Sequence, residues 1–363
     1  MTSVASRQDD ETSVAGGGAP RGRVGRLLQA QATQIVLVLA LIIVIFEVLA
    51  PTKFLTPFNI RTTVQNASIL AVLGVGMTFV IVTGGIDLSI GSVLVFSGVI
   101  ADKVMAALGD NGWGTAVIGI VVACVCGLGW GLINGWLIAK AKVPALIVTL
   151  GTLGMALGFS QIITGGVDLR DAPDVLVNTV FANIGGQVPV LSIIALVVVV
   201  VGGIVLHRTK FGLYTYAVGS NAEAGRRVGV KVDRHLIKVY ALAGLTAGIA
   251  GILNLAFFQS TTISGQSETN LNVIAGVVIG GTSLFGGIGS IFGTVIGLFI
   301  PAVLQNGFII IGVQSFWQQV VVGAVLIAAV YVDQTRRAAA LHGSSLQFPF
   351  LSRFGSGARK VNG

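Results

Sequence analysis

Thr83-Gly84-Gly85-Ile86-Asp87-Leu88-Ser89-Ile90-Gly91-Ser92 is a polar, glycine-rich break between two long apolar runs. Neither the run before it (69–82) nor the run after it (90–101) contains a charged residue. An acidic residue in hydrocarbon is costly unless it faces a polar cavity or lies where a helix is interrupted. Two compatible interpretations are open: a discontinuous element that lines a translocation path, or a tight turn at the membrane surface in which Asp87 only caps a helix.

The glycines of this break allow a backbone turn, and Asp87 or Ser89 is expected to cap the helix that follows. A second run, 279–290, echoes 81–92, because both follow one apolar run and open another. Broken helices of repeated halves often meet at the substrate site of transporters. Glycine-rich membrane sequences also match by chance, so a true repeat and a chance match both stay open.

The composition predicts an integral membrane protein. Of the 363 residues, 54% are hydrophobic and 10% are charged, against about 25% charged residues in soluble domains. We expect an all-α, polytopic transmembrane bundle of about ten spans, since each span needs about 20 residues. The 51 glycines favour close helix packing, and broken or half helices are expected near 83–92 and 271–290.

The polar residues do not suggest an enzyme. Cys124 and Cys126 lie inside an apolar run with no histidine nearby, which favours ordinary packing over a disulfide or a metal site. The sequence has neither a nucleotide-binding P-loop nor a nucleophile elbow. We therefore expect no catalytic residue, no metal site and no cofactor bound by this chain.

Loop charges orient the predicted spans. Ten spans would place both termini on one side, and on the opposite side lie only four of the 22 Lys and Arg residues, namely Lys53, Arg61, Lys103 and Arg170. The basic side is expected to be cytoplasmic, so the net charge of +8 needs no nucleic-acid partner. The predicted spans are 34–50, 63–83, 87–107, 115–139, 145–164, 188–206, 236–257, 271–284, 289–311 and 316–332.

This topology divides the chain into three parts. Residues 1–33 are expected to be a disordered cytoplasmic tail, 34–332 the transmembrane domain, and 333–363 a cytoplasmic C-terminal tail. The largest cytoplasmic loop, 207–235, contains a predicted short helix that Ser220 or Asn221 caps and Gly229 ends. Such a helix is either a lever for a soluble partner or a structured loop with no special role.

Three motifs in order resemble one family. They are Ile-Asp-Leu-Ser at 86–89, Phe-Gly-x-x-x-Tyr-Ala-x-Gly-x-Asn at 211–221, and Gly-Gly-Thr-Ser-Leu-x-Gly-Gly at 280–287. Together they resemble the permease subunits of bacterial ABC importers for monosaccharides such as ribose, xylose, arabinose, galactose and fructose. The likeness covers about residues 35 to 335.

The resemblance implies a permease, not an enzyme, that works as a homodimer in the lipid of the bacterial inner membrane. It also implies a cytoplasmic ABC ATPase partner that binds ATP and Mg²⁺, and an extracytoplasmic sugar-binding protein. The coupling signature of such importers, Glu-Ala-Ala-x-x-x-Gly, aligns with 223–229, where a glycine replaces the second alanine. The implied ATPase-coupling residues are Asn221, Glu223, Ala224, Gly225, Arg226 and Gly229.

An uncharged sugar needs neutral donors and acceptors along its path rather than fixed charges, with one carboxylate at most. Each candidate could equally form a hydrogen bond between helices, as could Glu47 in the first span. The candidate path residues are Gln65, Asn66, Thr83, Asp87, Ser89, Asn272, Gln305 and Asn306.

Other functions remain open at this point. An ion-coupled secondary transporter would use Asp87 and Glu47 as ion sites, and it would need no ATPase. A structural scaffold would leave the polar breaks unexplained. Branched-chain amino-acid permeases have a similar layout, but their zwitterionic substrates favour charged or helix-end recognition. The sequence does not identify the sugar.

Overall fold

The computed structural model describes residues 31–263 and 268–342. Within them the chain is almost entirely helical, and the one short hairpin pairs β1 (Asn183–Ile184) with β2 (Val188–Pro189). The helices are α1 (Gln31–Leu49), α2 (Pro57–Val82), α3 (Ile90–Leu108), α4 (Trp113–Ala139), α5 (Ala145–Thr164), α6 (Asp174–Phe181), α7 (Val190–Arg208), α8 (Lys210–Ser220), α9 (Ala222–Arg227), α10 (Val232–Phe258), α11 (Thr269–Ile279), α12 (Ile291–Ile310) and α13 (Ser315–His342).

The predicted all-α polytopic bundle is confirmed. Seven helices are long and apolar enough to cross a membrane, namely α2, α3, α4, α5, α7, α10 and α12. Shorter apolar segments lie in α1, α11 and α13, at the other three predicted spans, so the exact count of ten stays a prediction. The helix α11 has 11 residues and is about 16 Å long, half of the roughly 30 Å hydrocarbon core.

The predicted tails fall largely outside the described residues. Residues 1–30 and 343–363 are not described, so the expected disorder of the N-terminal tail and the expected cytoplasmic position of both tails stay predictions. The last predicted span, 316–332, is part of α13, which continues to His342.

Helix α2 lies at the centre of the bundle. Its most apolar window is 83% buried inside the protein, and that of α10 is 72% buried. The windows of α5 and α7 are only 28% and 22% buried, so these two helices present most of their apolar side chains outward. Lipid, rather than the protein core, is the natural environment for that outer surface.

Glycines let α4 and α10 approach each other closely. A β-carbon on Gly127 would overlap the carbonyl oxygen of Gly244 and lie 2.7 Å from the amide nitrogen of Gly248. One on Gly131 would lie 2.9 Å from the α-carbon of Ala241. The glycines spaced four apart are therefore a helix-packing surface, as expected for small residues in membranes.

We predict that Gly127→Ala destabilises the bundle, because the added methyl group must push α10 away, and overpacking of this kind costs about 1–3 kcal/mol. Gly129→Ala is the matched control on the same helix, since a β-carbon there meets no other atom within 4 Å. Thermal unfolding in detergent should show a lower midpoint for Gly127→Ala and an unchanged or higher one for Gly129→Ala. Equal midpoints would contradict this packing.

Candidate functional site

The polar break separates α2 from α3 inside the helical layer. The hydroxyl of Tyr240 donates a hydrogen bond to the carbonyl of Ile86 at 3.4 Å. Tyr240 lies about 12 Å along α10 from its first residue. Further along α3, Gly98 packs against Gly251 of α10. The break is thus surrounded by helices, which favours a discontinuous element over a tight turn at the membrane surface.

Asp87 is held within this break and is only 2% exposed. Its Oδ1 accepts hydrogen bonds from the amide of Ser89 at 2.8 Å and from the Ser89 hydroxyl at 2.6 Å. The Ser89 oxygen in turn accepts from Nδ2 of Asn134 at 2.9 Å. These contacts form a buried polar chain that ties the break to α4.

The prediction that Asp87 or Ser89 caps α3 is wrong. Ser89 precedes the helix but makes no side-chain cap, because the Asp87 carboxylate bonds to its neighbour Ser89 instead of the helix amides. The amide of Gly91 in the first turn donates instead to Oδ1 of Asn270 at 2.6 Å. The cap therefore comes from α11, a helix that itself begins within the bundle.

The two glycine-rich runs that resemble each other in sequence meet in space. The amide of Gly287 donates to the carbonyl of Val82 at 2.8 Å. Gly84 and Gly286 face each other, both with positive φ angles, of 77° and 80°, and a β-carbon on Gly286 would lie 2.9 Å from the Gly84 nitrogen. The ends of two broken segments are thus joined directly through their backbones.

Helix α8 inserts into this contact. A β-carbon on Gly219 would overlap the carbonyl oxygen of Val82 and lie 2.7 Å from the Gly287 nitrogen. The Tyr216 hydroxyl, one turn earlier, donates to the carbonyl of Gly289 at 2.7 Å. We call this three-way contact the glycine junction, formed by 82–84, Gly219 and 286–289.

The predicted short helix is present as α9. Asn221 ends α8 and caps α9, because its Oδ1 accepts from the amide of Ala224 at 2.9 Å. Glu223, in the first turn, pairs with Arg226 at 3.6 Å and with Arg227 at 3.7 Å. Gly229 follows with a φ of 89°, which ends the helix as expected. Asn221 therefore connects α9 to the glycine junction with no intervening loop.

Gly225 does not disturb α9. A β-carbon there would find its nearest neighbours, Val230 and Val232, at 4.0 Å, which is ordinary van der Waals contact. The position therefore accommodates the alanine of the family signature as well as the glycine found in this chain.

Asp233 anchors α9 to two other elements, a role that the sequence did not reveal. Its carboxylate meets Nζ of Lys142 at 2.9 Å, Nζ of Lys140 at 3.6 Å and Nη2 of Arg226 at 3.4 Å. Single exposed ion pairs contribute little stability, but this network joins α9, the α4–α5 connection and the start of α10. The signal for this role in the sequence was that Asp233 is an acidic residue among many basic ones.

A polar cavity of about 170 Å³ lies at the other end of α10. Asn254, in its wall, is about 33 Å along that helix from Val232. Three predicted path residues, Asn66, Asn272 and Gln305, line the cavity. The whole polar cavity, as we use the term, is lined by Asn66, Ile69, Leu70, Asn254, Phe258, Glu268, Thr269, Asn272, Gln305 and Gln318.

The other predicted polar residues lie elsewhere. Asn306 exchanges two hydrogen bonds with Asn59, at 2.8 and 2.9 Å, so it joins α12 to α2. The hydroxyl of Thr83 donates to the carbonyl of Val80, and Gln65 is buried in α2. The carboxylate of Glu47 accepts from the amide of Leu55 at 3.1 Å. The eight candidates therefore do not form one continuous lining in this conformation.

Comparisons with known proteins place this architecture in a family. A family model described as "Branched-chain amino acid transport system / permease component" matches residues 59–330. The ribose import permease protein RbsC of Bacillus subtilis (strain 168) is 37% identical over 304 residues, covering 83% of this chain and 92% of the relative. The fructose import permease protein FrcC of Rhizobium meliloti is 34% identical over 306 residues, covering 82% and 84%.

A further relative is the ribose import permease protein RbsC of Escherichia coli (strain K12), which is 36% identical over 310 residues, covering 82% of this chain and 92% of the relative. No solved structure matches the chain. The family resemblance that the motifs suggested is thereby confirmed. The chain belongs to the family of transport-system permease components, together with import permeases whose names specify ribose and fructose.

Proposed function

We propose that this chain is the permease subunit of an ABC importer that carries a monosaccharide across the bacterial inner membrane. A separate cytoplasmic ATPase, which binds ATP and Mg²⁺, would drive it, and an extracytoplasmic binding protein would deliver the sugar. The observation that carries the proposal is the direct connection from the exposed helix α9 to the glycine junction. The named substrates of the relatives, ribose and fructose, support a sugar.

The surface of α9 suits a soluble partner. The side chains of Glu223 and Arg227 are 62% and 79% exposed, and Val228, just after the helix, is 79% exposed. A charged face with one apolar side chain offers both electrostatic steering and a small packing contact. We propose that the ATPase binds here and moves α9 when it closes on ATP.

Movement of α9 would reach the membrane domain through α8. Asn221 is the C-cap of α8 and the N-cap of α9, and Gly219 leaves no space between α8 and the backbone of Val82. A shift of α8 must therefore displace the end of α2 and the run at 286–289. We propose that this displacement switches the permease between inward- and outward-facing states.

The charge distribution supports the proposed orientation. Lys140, Lys142, Arg226 and Lys231 lie around α9, next to the cluster of ion pairs at Asp233. Basic residues gather on the cytoplasmic side of membrane proteins. We therefore place α9, both termini and the ATPase in the cytoplasm, the polar cavity toward the outside, and a second copy of this chain beside the first.

Branched-chain amino acids are the second candidate substrate, because the matching family description names them. A zwitterion would need a cationic partner for its carboxylate once it leaves water. Among the residues of 31–263 and 268–342 that line the polar cavity, none is Lys, Arg or His. The cavity therefore favours an uncharged substrate.

An ion-coupled mechanism has less support. The two carboxylates that it would use, Asp87 and Glu47, both accept hydrogen bonds from backbone amides. These bonds give each carboxylate a local structural role. An ion-coupled transporter would also have no use for an exposed, capped helix connected to the glycine junction.

We predict that Glu223→Lys abolishes ATP-driven sugar uptake while the chain still inserts into the membrane. The substitution removes two ion pairs and places a cation at the positive end of α9. Uptake by cells and co-purification of the ATPase with the permease provide the measurement. Asp110→Lys, at an exposed position in the α3–α4 loop, is the control and should retain both. Normal uptake by Glu223→Lys would remove α9 from the mechanism.

We further predict that Gly219→Ala uncouples transport, because its β-carbon would overlap the Val82 carbonyl oxygen. Gly225→Ala is the matched control within the same region, because the nearest atoms to its β-carbon are 4.0 Å away. The ATPase should co-purify with both variants. The amount of sugar transported per ATP hydrolysed should fall at least tenfold for Gly219→Ala and should not change for Gly225→Ala. A tenfold fall corresponds to a loss of about 1.4 kcal/mol of coupling free energy. Equal coupling ratios would refute this route.

A further inference from the structure

We propose that the polar cavity is a transient binding site for one uncharged, polyhydroxylated solute of monosaccharide size, with Asn272 and Gln318 as contact residues. This inference rests on the proposed function and adds the place where the permease itself holds its substrate. The volume of about 170 Å³ is far larger than the 10–15 Å³ or so that one water molecule requires.

Unused hydrogen-bonding capacity marks the cavity as a site. Asn272 is 7% exposed and Gln318 is 5% exposed, yet neither carboxamide has a hydrogen-bond partner within 31–263 and 268–342. Most buried polar side chains do have a partner. Asn272 and Gln318 face an open cavity instead of a hydrogen-bond partner, so their carboxamides are available to a ligand.

The type of side chain selects the ligand. Asn66 and Gln305 add two more carboxamides to the wall. Every carboxamide offers two donors and one acceptor, and a sugar hydroxyl is likewise both donor and acceptor. Ile69, Leu70 and Phe258 supply apolar surface for the C–H faces of a sugar ring. This mixture of apolar walls and few convergent polar groups is typical of small-molecule sites.

The charge of the wall excludes anionic ligands. Glu268 is the ionisable residue among those lining the cavity, and its Oε1 accepts a hydrogen bond from Nε2 of Gln319. With no cation among the described residues of the wall, a phosphate or carboxylate group would be desolvated without compensation. A neutral solute avoids that penalty.

The position of the cavity connects it to the glycine junction. Asn66 lies on α2, whose last residue, Val82, belongs to the junction. Asn272 lies on α11, which ends at Ile279 and leads into the run at 286–289. A displacement at the junction would therefore move two walls of the cavity relative to α10 and α13. A change of state of the permease can thus lower the affinity of the cavity for the solute and release it.

The test uses the full-length chain with its ATPase and without the binding protein. Saturation-transfer difference NMR would be recorded with ribose, fructose, allose, xylose and leucine as separate probes. At least one sugar should give a signal and leucine none. Asn272→Leu and Gln318→Met keep the side-chain volume but remove the carboxamide, and each should weaken sugar binding about three- to tenfold, the effect of one or two neutral hydrogen bonds.

Asn178→Leu is the matched control, because it removes an exposed carboxamide from α6, outside the cavity. It should leave the sugar signal unchanged. If sugar uptake proceeds but neither Asn272→Leu nor Gln318→Met weakens sugar binding, the cavity proposal is overturned and the proposed function stands. If leucine binds and is taken up while no sugar is, both are overturned.

Discussion

The contact between Gly219 and the Val82 carbonyl is the constraint on which the rest of this molecule depends. No side chain fits between α8 and the end of α2, so the two backbones touch directly. A flexible side chain could absorb a small displacement, whereas backbone in van der Waals contact transmits it. The hydrogen bond from Gly287 to the same carbonyl extends that rigid contact to the second broken segment.

Two helices carry this contact across the bundle. Helix α2 extends from the glycine junction through the buried centre to Asn66. Helix α11 extends from Ile279, which precedes the junction segment 286–289, back to Asn272. In the proposed mechanism, the exposed helix α9 and the polar cavity are at opposite ends of one mechanical path. The stretches 66–82 of α2 and 272–279 of α11 contain no charged residue, in keeping with the cost of a fixed charge inside the bilayer.

Local sequence patterns predicted much of the fold. The two glycine runs resemble each other in sequence, and a true repeat stays a prediction. The apolar runs predicted the helices, and the Asn221–Gly229 pattern predicted a capped α9. These features depend on residues a few positions apart, so spacing alone reveals them. The sequence selects Asn66, Asn272 and Gln305 only as neutral polar residues in apolar spans, and their role in a substrate path stays a prediction.

Long-range partners could not be predicted. Asn270 caps α3 from 179 residues away, and Asn306 is paired with Asn59 from 247 residues away. Asp233 joins three elements, and Gln318 completes a cavity formed by five helices. Each role depends on the tertiary arrangement of helices, which periodicity does not determine.

Hydrogen–deuterium exchange on the assembled transporter tests the central claim most directly. The amides of 82–90 and 280–290 would be followed with and without ATP, alongside those of the α4–α10 contact. The account predicts that ATP changes exchange at both junction segments and leaves the α4–α10 glycine contact unchanged. Exchange at the junction that stays the same with ATP, while sugar uptake proceeds, would contradict it.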